Sequence, residues 1–195
     1  MRRSVAGALW AVLMLYVWPW PAGADPKPLT AILISARDEL PDPNFGDSTV
    51  LVLNDIGPAP VGVIINRPTP ITVSQLFPDI KRLEHLHDKV YFGGPVEFET
   101  VWFLFRATSP REHAIRACDG VYVSTDRDLL LQLLSRDKPM DGLRIFLGHS
   151  GWAPGQLEAE IEDGDWTVQR AEAAAVFDNK SEHPWPTSEL PNHSI

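Results

Sequence analysis

Residues 143–161 read LRIFLGHSGWAPGQLEAEI, and this stretch decides the class of fold. Residues 143–147 are a short apolar run bounded by turn residues, which predicts a strand. The glycines at positions 148 and 151 permit a sharp turn. Residues 154–163 then follow a helical pattern, with proline near the start and Gly164 just past the end. A strand, a glycine turn and a helix in succession predict a fold that mixes both kinds of element.

Further apolar or alternating runs lie on both sides of this stretch and are predicted strands. They are residues 30–35, 48–53, 61–65, 89–92, 100–106, 121–124 and 166–170. Asn54-Asp55-Ile56-Gly57-Pro58 joins the second run to the third, and these residue types are typical of a hairpin loop. The second and third strands are therefore predicted to be antiparallel neighbours.

Helix signals separate several of these runs. Thr72, with Gln75 three residues later, predicts a capping box that opens a short helix. Thr125 and Asp126 offer N-caps for a helix with an apolar stripe from Leu129 to Leu134. Residues 171–177 are a predicted last helix. This order of elements predicts an α+β fold: one compact domain over residues 25–178, with a mostly antiparallel or mixed sheet and helices packed on its faces.

Residues 1–24 have the order of a signal peptide. Arg2 and Arg3 precede an uncharged apolar run, and Ala22 and Ala24 supply the small side chains that a signal peptidase accepts. We therefore expect cleavage before Asp25 and a periplasmic or secreted protein. The alternative is an uncleaved segment that anchors the protein in the inner membrane, although prolines at positions 19 and 21 shorten the apolar helix. Contact with a membrane is expected only through such an uncleaved signal.

The mature chain is distinctly acidic. Cleavage removes two of the 17 basic residues and none of the 26 acidic ones, so the net charge changes from −9 to −11. Non-specific affinity for nucleic acid comes from Lys and Arg displacing counterions. This charge therefore argues against direct nucleic-acid binding.

Three remaining features favour ordinary structural roles. Cys118 is the single cysteine, which excludes an intrachain disulfide and is typical of a small, half-buried apolar residue. His85 and His87 are two residues apart, a spacing that aligns them only on a strand, so surface histidines are favoured over a metal site. Residues 179–195 are rich in proline and polar residues, which predicts a loosely ordered tail. No metal and no cofactor are predicted.

Four stretches in order resemble the YqgE/AlgH family of bacterial proteins. They are Ile34-Ser35 with residues 40–45 (LPDPNF), residues 62–68 (GVIINRP), residues 91–96 (YFGGPV) and residues 148–161 (GHSGWAPGQLEAEI). The resemblance implies a compact α+β domain without an agreed activity, and the AlgH branch is named for a regulatory effect on alginate production. The chain departs from the family in its export signal and in His149, where an aromatic residue such as Tyr is usual.

Three loops at strand ends are predicted to form one binding surface. They are Asn66-Arg67-Pro68, Gly93-Gly94-Pro95 and the loop from Gly151 to Gln156. Arg67 would hold an anionic or carboxylate group in bidentate fashion. Trp152, Gln156 and Glu160 would line the pocket where the following helix begins. The alternative is structural: Arg67 ties loops together through carbonyl groups or Asp42, and the polar residues cap the helix.

Ser150 and His149 suggest a metal-free hydrolase, because a serine between glycines at a turn resembles a nucleophile elbow. The spacing argues against this interpretation, since Gly151 follows Ser150 directly and Trp152 occupies the position that needs glycine. His149 is the adjacent residue and would point to the other face of an extended segment, where it could not act as the base.

The sequence therefore favours a binding protein over an enzyme. Its partner is an unknown small molecule or protein, bound at the three loops. Two alternatives remain open at this point: a hydrolase that uses Ser150 and His149, and a regulatory protein that acts indirectly on transcription.

Overall fold

The structure is a computed structural model, and it describes residues 31–37, 45–54, 56–178 and 182–184. The strands in these residues are β1 (Ala31–Ala36), β2 (Thr49–Leu53), β3 (Val61–Ile64), β4 (Pro68–Thr72), β5 (Lys89–Phe92), β6 (Val96–Arg106), β7 (Ile115–Cys118), β8 (Val121–Ser124), β9 (Leu143–Gly151) and β10 (Trp166–Arg170). The helices are α1 (Val73–Leu76), α2 (Arg127–Leu134), α3 (Gln156–Asp163) and α4 (Ala173–Phe177), with a 3₁₀ turn at Lys81–Leu83.

The strands form a mostly antiparallel sheet in the order β10-β1-β2-β3-β9-β6-β8-β7. β4 pairs with β5, and β5 runs parallel to β9, which is the one parallel pairing among the described strands. Residues of β7 and β10, the two ends of this order, line the same groove, so the sheet is curled until its edges approach. The α+β class and the mostly antiparallel or mixed sheet are confirmed.

The helices cover the sheet through three clusters of buried side chains. Leu130 and Leu134 of α2 join the cluster around Phe103, Phe105 and Ile145. Leu157 of α3 packs with Trp152 and Trp166 against β1, β2 and β3. Val176 of α4 packs on the other face, in the cluster that contains Phe146. Burial of these apolar stripes is the main force that holds the helices on the sheet.

Several local predictions are confirmed. Thr72 and Gln75 form the capping box that opens α1, and Asp126 caps α2 by accepting from the Leu129 N–H at 2.8 Å. β2 and β3 pair antiparallel, with Leu53 opposite Val61.

The predicted turn at residues 148–151 is wrong, because β9 continues through these residues to Gly151. Gly148 adopts a φ of 68°, and the strand changes its partner there. Before Gly148, β9 pairs with β5, and after it Gly62 of β3 lies opposite Ser150. The glycine therefore bends a continuing strand, and α3 begins later than predicted, at Gln156.

Other bounds also differ from the predictions. β6 begins at Val96, four residues earlier than predicted, and α4 begins at Ala173. β4 was missed because Pro68 and Pro70 resemble a loop, although prolines are tolerated where a strand has a partner on one side only. β7 was missed because it is short and has only Ala117 buried, so no alternation marks it.

The predicted leader, residues 1–24, lies outside the described residues. Within the predicted loose tail, residues 182–184 are described and contact the domain. The His183 N–H donates to the Asn66 carbonyl at 2.9 Å, and Glu182 accepts from the Tyr91 hydroxyl at 2.8 Å. None of the helices described is long and apolar enough to span a membrane.

Candidate functional site

Two of the three loops predicted to form a binding surface are joined to neighbouring strands by backbone hydrogen bonds. The Phe92 N–H donates to the Arg67 carbonyl at 2.8 Å, which joins the first loop to β5. The Gly93 carbonyl accepts from the Ile64 N–H at 2.9 Å, and the Gly93 N–H donates to Leu147 of β9 at 2.8 Å. These two loops therefore lie where β3, β5 and β9 meet. The third loop continues from the end of β9, and its Trp152 N–H donates to the Pro60 carbonyl, just before β3, at 3.2 Å.

Gly93, Gly94 and Gly148 are required there because two backbone segments cross in contact. A Cβ added to Gly93 would lie 2.3 Å from the Gly148 carbonyl oxygen. A Cβ on Gly94 would lie 2.3 Å from the His149 carbonyl, and one on Gly148 would lie 2.4 Å from the Gly94 carbonyl oxygen. Real Cβ contacts are not this short, so these glycines serve the packing of the backbone.

The Arg67 side chain binds within the protein. It is 7% exposed. Its Nε donates to Ser48 Oγ at 3.1 Å, and its Nη2 donates to the Gly46 carbonyl. This geometry favours the structural alternative, in which Arg67 ties loops together through carbonyl groups. Asp42, the other partner considered for it, lies outside the described residues.

Asn66 is also engaged with the same segment of backbone. Its side-chain oxygen accepts from the Thr49 N–H at 2.8 Å, and its amide nitrogen donates to the Asp47 carbonyl at 2.8 Å. Since Asn66 is buried, these bonds satisfy polar groups that cannot reach water. Asn66 and Arg67 together hold residues 46–49 against the end of β3.

Trp152, Gln156 and Glu160 come together as predicted, but they bind one another. Glu160 Oε2 accepts from the indole N–H groups of Trp152 and Trp166, both at 2.9 Å. Glu160 Oε1 accepts from Gln156 Nε2 at 2.8 Å, and Gln156 Oε1 accepts from the Ala153 N–H at 2.9 Å. The network clamps the start of α3 to β10.

The Arg67 loop and this clamp are connected through Phe45 and Gly46. The Phe45 ring lies 6.3 Å from the Trp152 ring and 5.7 Å from the Trp166 ring. The next residue, Gly46, accepts the hydrogen bond from Arg67. The predicted site residues thus share one neighbourhood, and the polar contacts described for them are to other parts of the protein.

Ser150 and His149 do not form a catalytic pair. Ser150 is fully buried, and its hydroxyl donates to the Gly93 carbonyl at 3.2 Å. The His149 ring lies 5.2 Å from the Trp102 ring. Burial lowers the pKa of His149, an effect that the nearby Glu97 carboxylate partly opposes. A buried serine whose hydroxyl binds a carbonyl group is not placed to attack a substrate.

Sequence reasoning missed a groove of about 810 Å³ at the two ends of the sheet. Its walls are residues 31–32, 116–119 and 168–173, and we call it the seam groove. The floor includes small apolar residues such as Ala117 and Ala171, and Val168 of β10 is 45% exposed. No sequence pattern marked this groove, because only the curl of the sheet brings β10 beside β7.

Charged groups surround the half-buried Cys118 in the seam groove. Arg116 Nη2 and Asp119 Oδ1 form an ion pair at 2.5 Å on the β7 side. Burial raises the pKa of the Cys118 thiol, the Asp119 carboxylate raises it further, and Arg116 opposes them. The thiol is therefore protonated at neutral pH, which makes it a poor nucleophile.

The described residues contain no group of three or more His, Cys, Asp and Glu side chains that could hold a metal ion. His85 and His87 are both exposed, after the 3₁₀ turn.

Comparison with known proteins agrees with the resemblance seen in the sequence. The AlgH-like family model matches residues 32–188. A UPF0301 protein from Anaeromyxobacter dehalogenans is 35% identical over 178 residues, 86% of this chain and 87% of that protein. A UPF0301 protein from Myxococcus xanthus is 37% identical over 169 residues, 83% of this chain and 90% of that protein.

Two solved structures are similar in fold. The solution structure of the AlgH protein from Pseudomonas aeruginosa has a TM-score of 0.63 and 28% identity, covering 80% of this chain and 84% of that one. A crystal structure of a protein from Corynebacterium diphtheriae has a TM-score of 0.60 and 25% identity, covering 74% and 77%. The chain therefore belongs to the AlgH-like family.

Proposed function

We propose that this protein is an exported binding domain that holds a ligand with an apolar surface in the seam groove. The observation that carries the proposal is the groove itself, about 810 Å³ between the two end strands of the sheet. Sites for small ligands are usually mostly apolar concavities of roughly 300–1,000 Å³ with a few polar groups. Export rests on the order of residues 1–24, which is typical of a cleaved signal peptide.

The lining of the seam groove suits binding. Small residues, among them Ala31, Ala117 and Ala171, let a ligand approach the backbone closely. Val168 exposes a branched apolar side chain to the groove, and a ligand that covered it would remove that surface from water. Gln169 and Glu172 also line the groove and add polar side chains to its mostly apolar wall.

Binding is better supported than catalysis. The nucleophile in the seam groove, Cys118, is a protonated thiol, since burial raises its pKa. Ser150 is buried away from the groove and donates its hydrogen bond to Gly93. Neither Cys118 nor Ser150 is therefore an exposed, activated nucleophile that would support the hydrolase alternative, and nothing in the described residues favours an indirect role in transcription.

We place the ligand in the seam groove in preference to the three loops predicted from the sequence. Internal hydrogen bonds already occupy polar groups of Asn66, Arg67, Gln156 and Glu160. A ligand at those loops would have to break such bonds to gain its own. In this proposal the loops hold the frame of the sheet.

A change of Val168 to Asp tests the groove, with Val96→Asp as the matched control. Val96 is 39% exposed on β6 and does not line the groove. Covering the exposed part of the Val168 side chain would contribute about 1 kcal/mol, and an aspartate there adds the cost of removing a carboxylate from water. Val168→Asp should therefore lower the affinity by about tenfold or more. Native mass spectrometry of protein purified from its own cells should show a retained molecule in wild type and Val96→Asp, and far less in Val168→Asp.

Cys118 gives a second measurement on the same proteins. N-ethylmaleimide should react with Cys118 more slowly in protein as purified than in protein stripped of its ligand by unfolding and refolding. Equal retention in the two valine variants, or equal labelling before and after stripping, would contradict the groove as the binding site.

Export is tested separately by cell fractionation and N-terminal sequencing. We expect a chain that begins at Asp25 in the periplasm or medium, because Ala22 and Ala24 fit the cleavage site. A chain that keeps Met1 in the membrane fraction would support the anchored alternative. Intact Met1 in the cytosol would defeat export without affecting the groove.

A further inference from the structure

A second candidate site lies where β6 departs from β9. Val96 lies opposite His149, and the next described pair is Val101 opposite Leu147. Residues 97–100 of β6 thus face the single residue Gly148, which makes a large bulge. Glu97 in this bulge has a φ of 46°, in the left-handed region that residues other than glycine rarely adopt. Bulges and strained residues occur frequently beside functional sites.

Two aromatic nitrogens next to this bulge are shut off from solvent and have no hydrogen-bond partner among the described residues. They are Trp102 Nε1 and His149 Nδ1, whose rings lie 5.2 Å apart. In contrast, the indole N–H groups of Trp152 and Trp166 both donate to Glu160. Buried polar groups in folded proteins nearly always form hydrogen bonds. Two such nitrogens without a hydrogen bond, on rings that contact each other, therefore indicate that a hydrogen-bonding partner is missing.

The chemistry of the two rings limits what this partner is. An indole N–H only donates, so the group opposite Trp102 must carry an acceptor. A neutral imidazole can donate or accept, and burial keeps His149 in this neutral form. Glu97 is near enough to act on His149 electrostatically, and its negative charge disfavours an anionic partner.

We propose that Trp102 and His149 bind a small neutral group that carries a carbonyl oxygen, of which an amide is the simplest example. The oxygen accepts from the Trp102 indole, and the amide N–H or oxygen pairs with His149. Glu97 and Glu99 of the bulge are exposed, and residues 97–100 have no register partner on β9. The site shares no residue with the seam groove, and the titration of wild-type protein described next does not depend on the groove variants.

NMR spectroscopy tests this site directly. Protein labelled with ¹⁵N and purified from its own cells is titrated with acetamide and, separately, with acetate. We expect a saturable downfield shift of the Trp102 indole proton with acetamide and a smaller shift with acetate. The indole signals of Trp152 and Trp166 serve as internal controls, because their N–H groups already bind Glu160.

Two variants complete the experiment. Trp102→Phe identifies the signal by removing it, and His149→Phe should weaken the acetamide response while the Trp102 signal remains. His87→Phe, at an exposed position, is the control for loss of a histidine.

Three results would overturn the proposal. One is a Trp102 signal that moves no more than the two control indoles. Another is an equal response to acetate and acetamide. The third is a signal already at the hydrogen-bonded position in the free protein and unmoved by acetamide, which would identify a resident water. The wild-type titration decides between these results even if a variant fails to fold.

Discussion

Changing Gly148 to alanine is expected to lower the free energy of unfolding by about 4 kcal/mol or more, whereas Gly120→Ala costs about 1–2 kcal/mol. Both glycines adopt a left-handed conformation, with φ of 68° and 75°. A Cβ at Gly120 meets nothing within 4 Å. A Cβ at Gly148 would lie 2.4 Å from the Gly94 carbonyl oxygen, a backbone atom that cannot rotate away.

The two variants therefore separate two free-energy costs. One is the cost of placing alanine in a left-handed conformation, and the other is the cost of the steric clash where the two backbone segments cross. Urea unfolding of both proteins, analysed with a common slope, measures the difference. A Gly148 variant that yields no folded protein, beside a folded Gly120 variant, agrees with the expectation. Similar losses in the two variants would show that the segments at Gly94 and Gly148 separate easily, and that their contact does not hold β5 against β9.

Changing Glu160 to alanine should lower the free energy of unfolding by about 3 kcal/mol. The change leaves the indole N–H groups of Trp152 and Trp166 without their acceptor, and each unpaired buried donor costs roughly 1–3 kcal/mol. The two tryptophans are 7% and 5% exposed, so water compensates little. Glu162 is an exposed residue of the same helix, and Glu162→Ala should cost within about 0.5 kcal/mol of zero.

Glu160→Gln is the conservative variant, because it keeps an acceptor oxygen while removing the charge. We expect its stability to lie between those of wild type and Glu160→Ala. Urea unfolding followed by tryptophan fluorescence measures all three proteins, since the probe includes the indoles at issue. A loss for Glu160→Ala no larger than that for Glu162→Ala would mean that the clamp adds nothing to stability.

These two experiments also bear on the loops that the sequence marks as a binding surface. Gly148 and Glu160 both lie in the stretches that resemble the family. In both experiments we expect the substitution to lower the free energy of unfolding. Gly148 permits a crossing of two backbone segments, and Glu160 binds two tryptophans. The family motifs can thus be explained as the structural centre of the fold.

Local sequence signals determined much of this protein. The capping box at Thr72 and the N-cap at Asp126 were readable because each depends on side chains and backbone groups only three residues apart. The hairpin between β2 and β3 was readable because asparagine, aspartate and glycine favour the backbone conformations of a tight loop. The order of the four family motifs likewise identified the family.

Tertiary structure alone decided the rest. Gly148 looks like a turn in the sequence, but it bends a strand that continues, because β5 and β3 offer successive partners on one side of β9. Arg67 looks like a ligand-binding residue until Gly46 and Ser48 are seen to accept its hydrogen bonds. The seam groove joins residues 31–32, 116–119 and 168–173, which are far apart in the chain. Sequence patterns report contacts over a few residues, whereas the curl that brings β7 beside β10 results from the packing of the whole sheet.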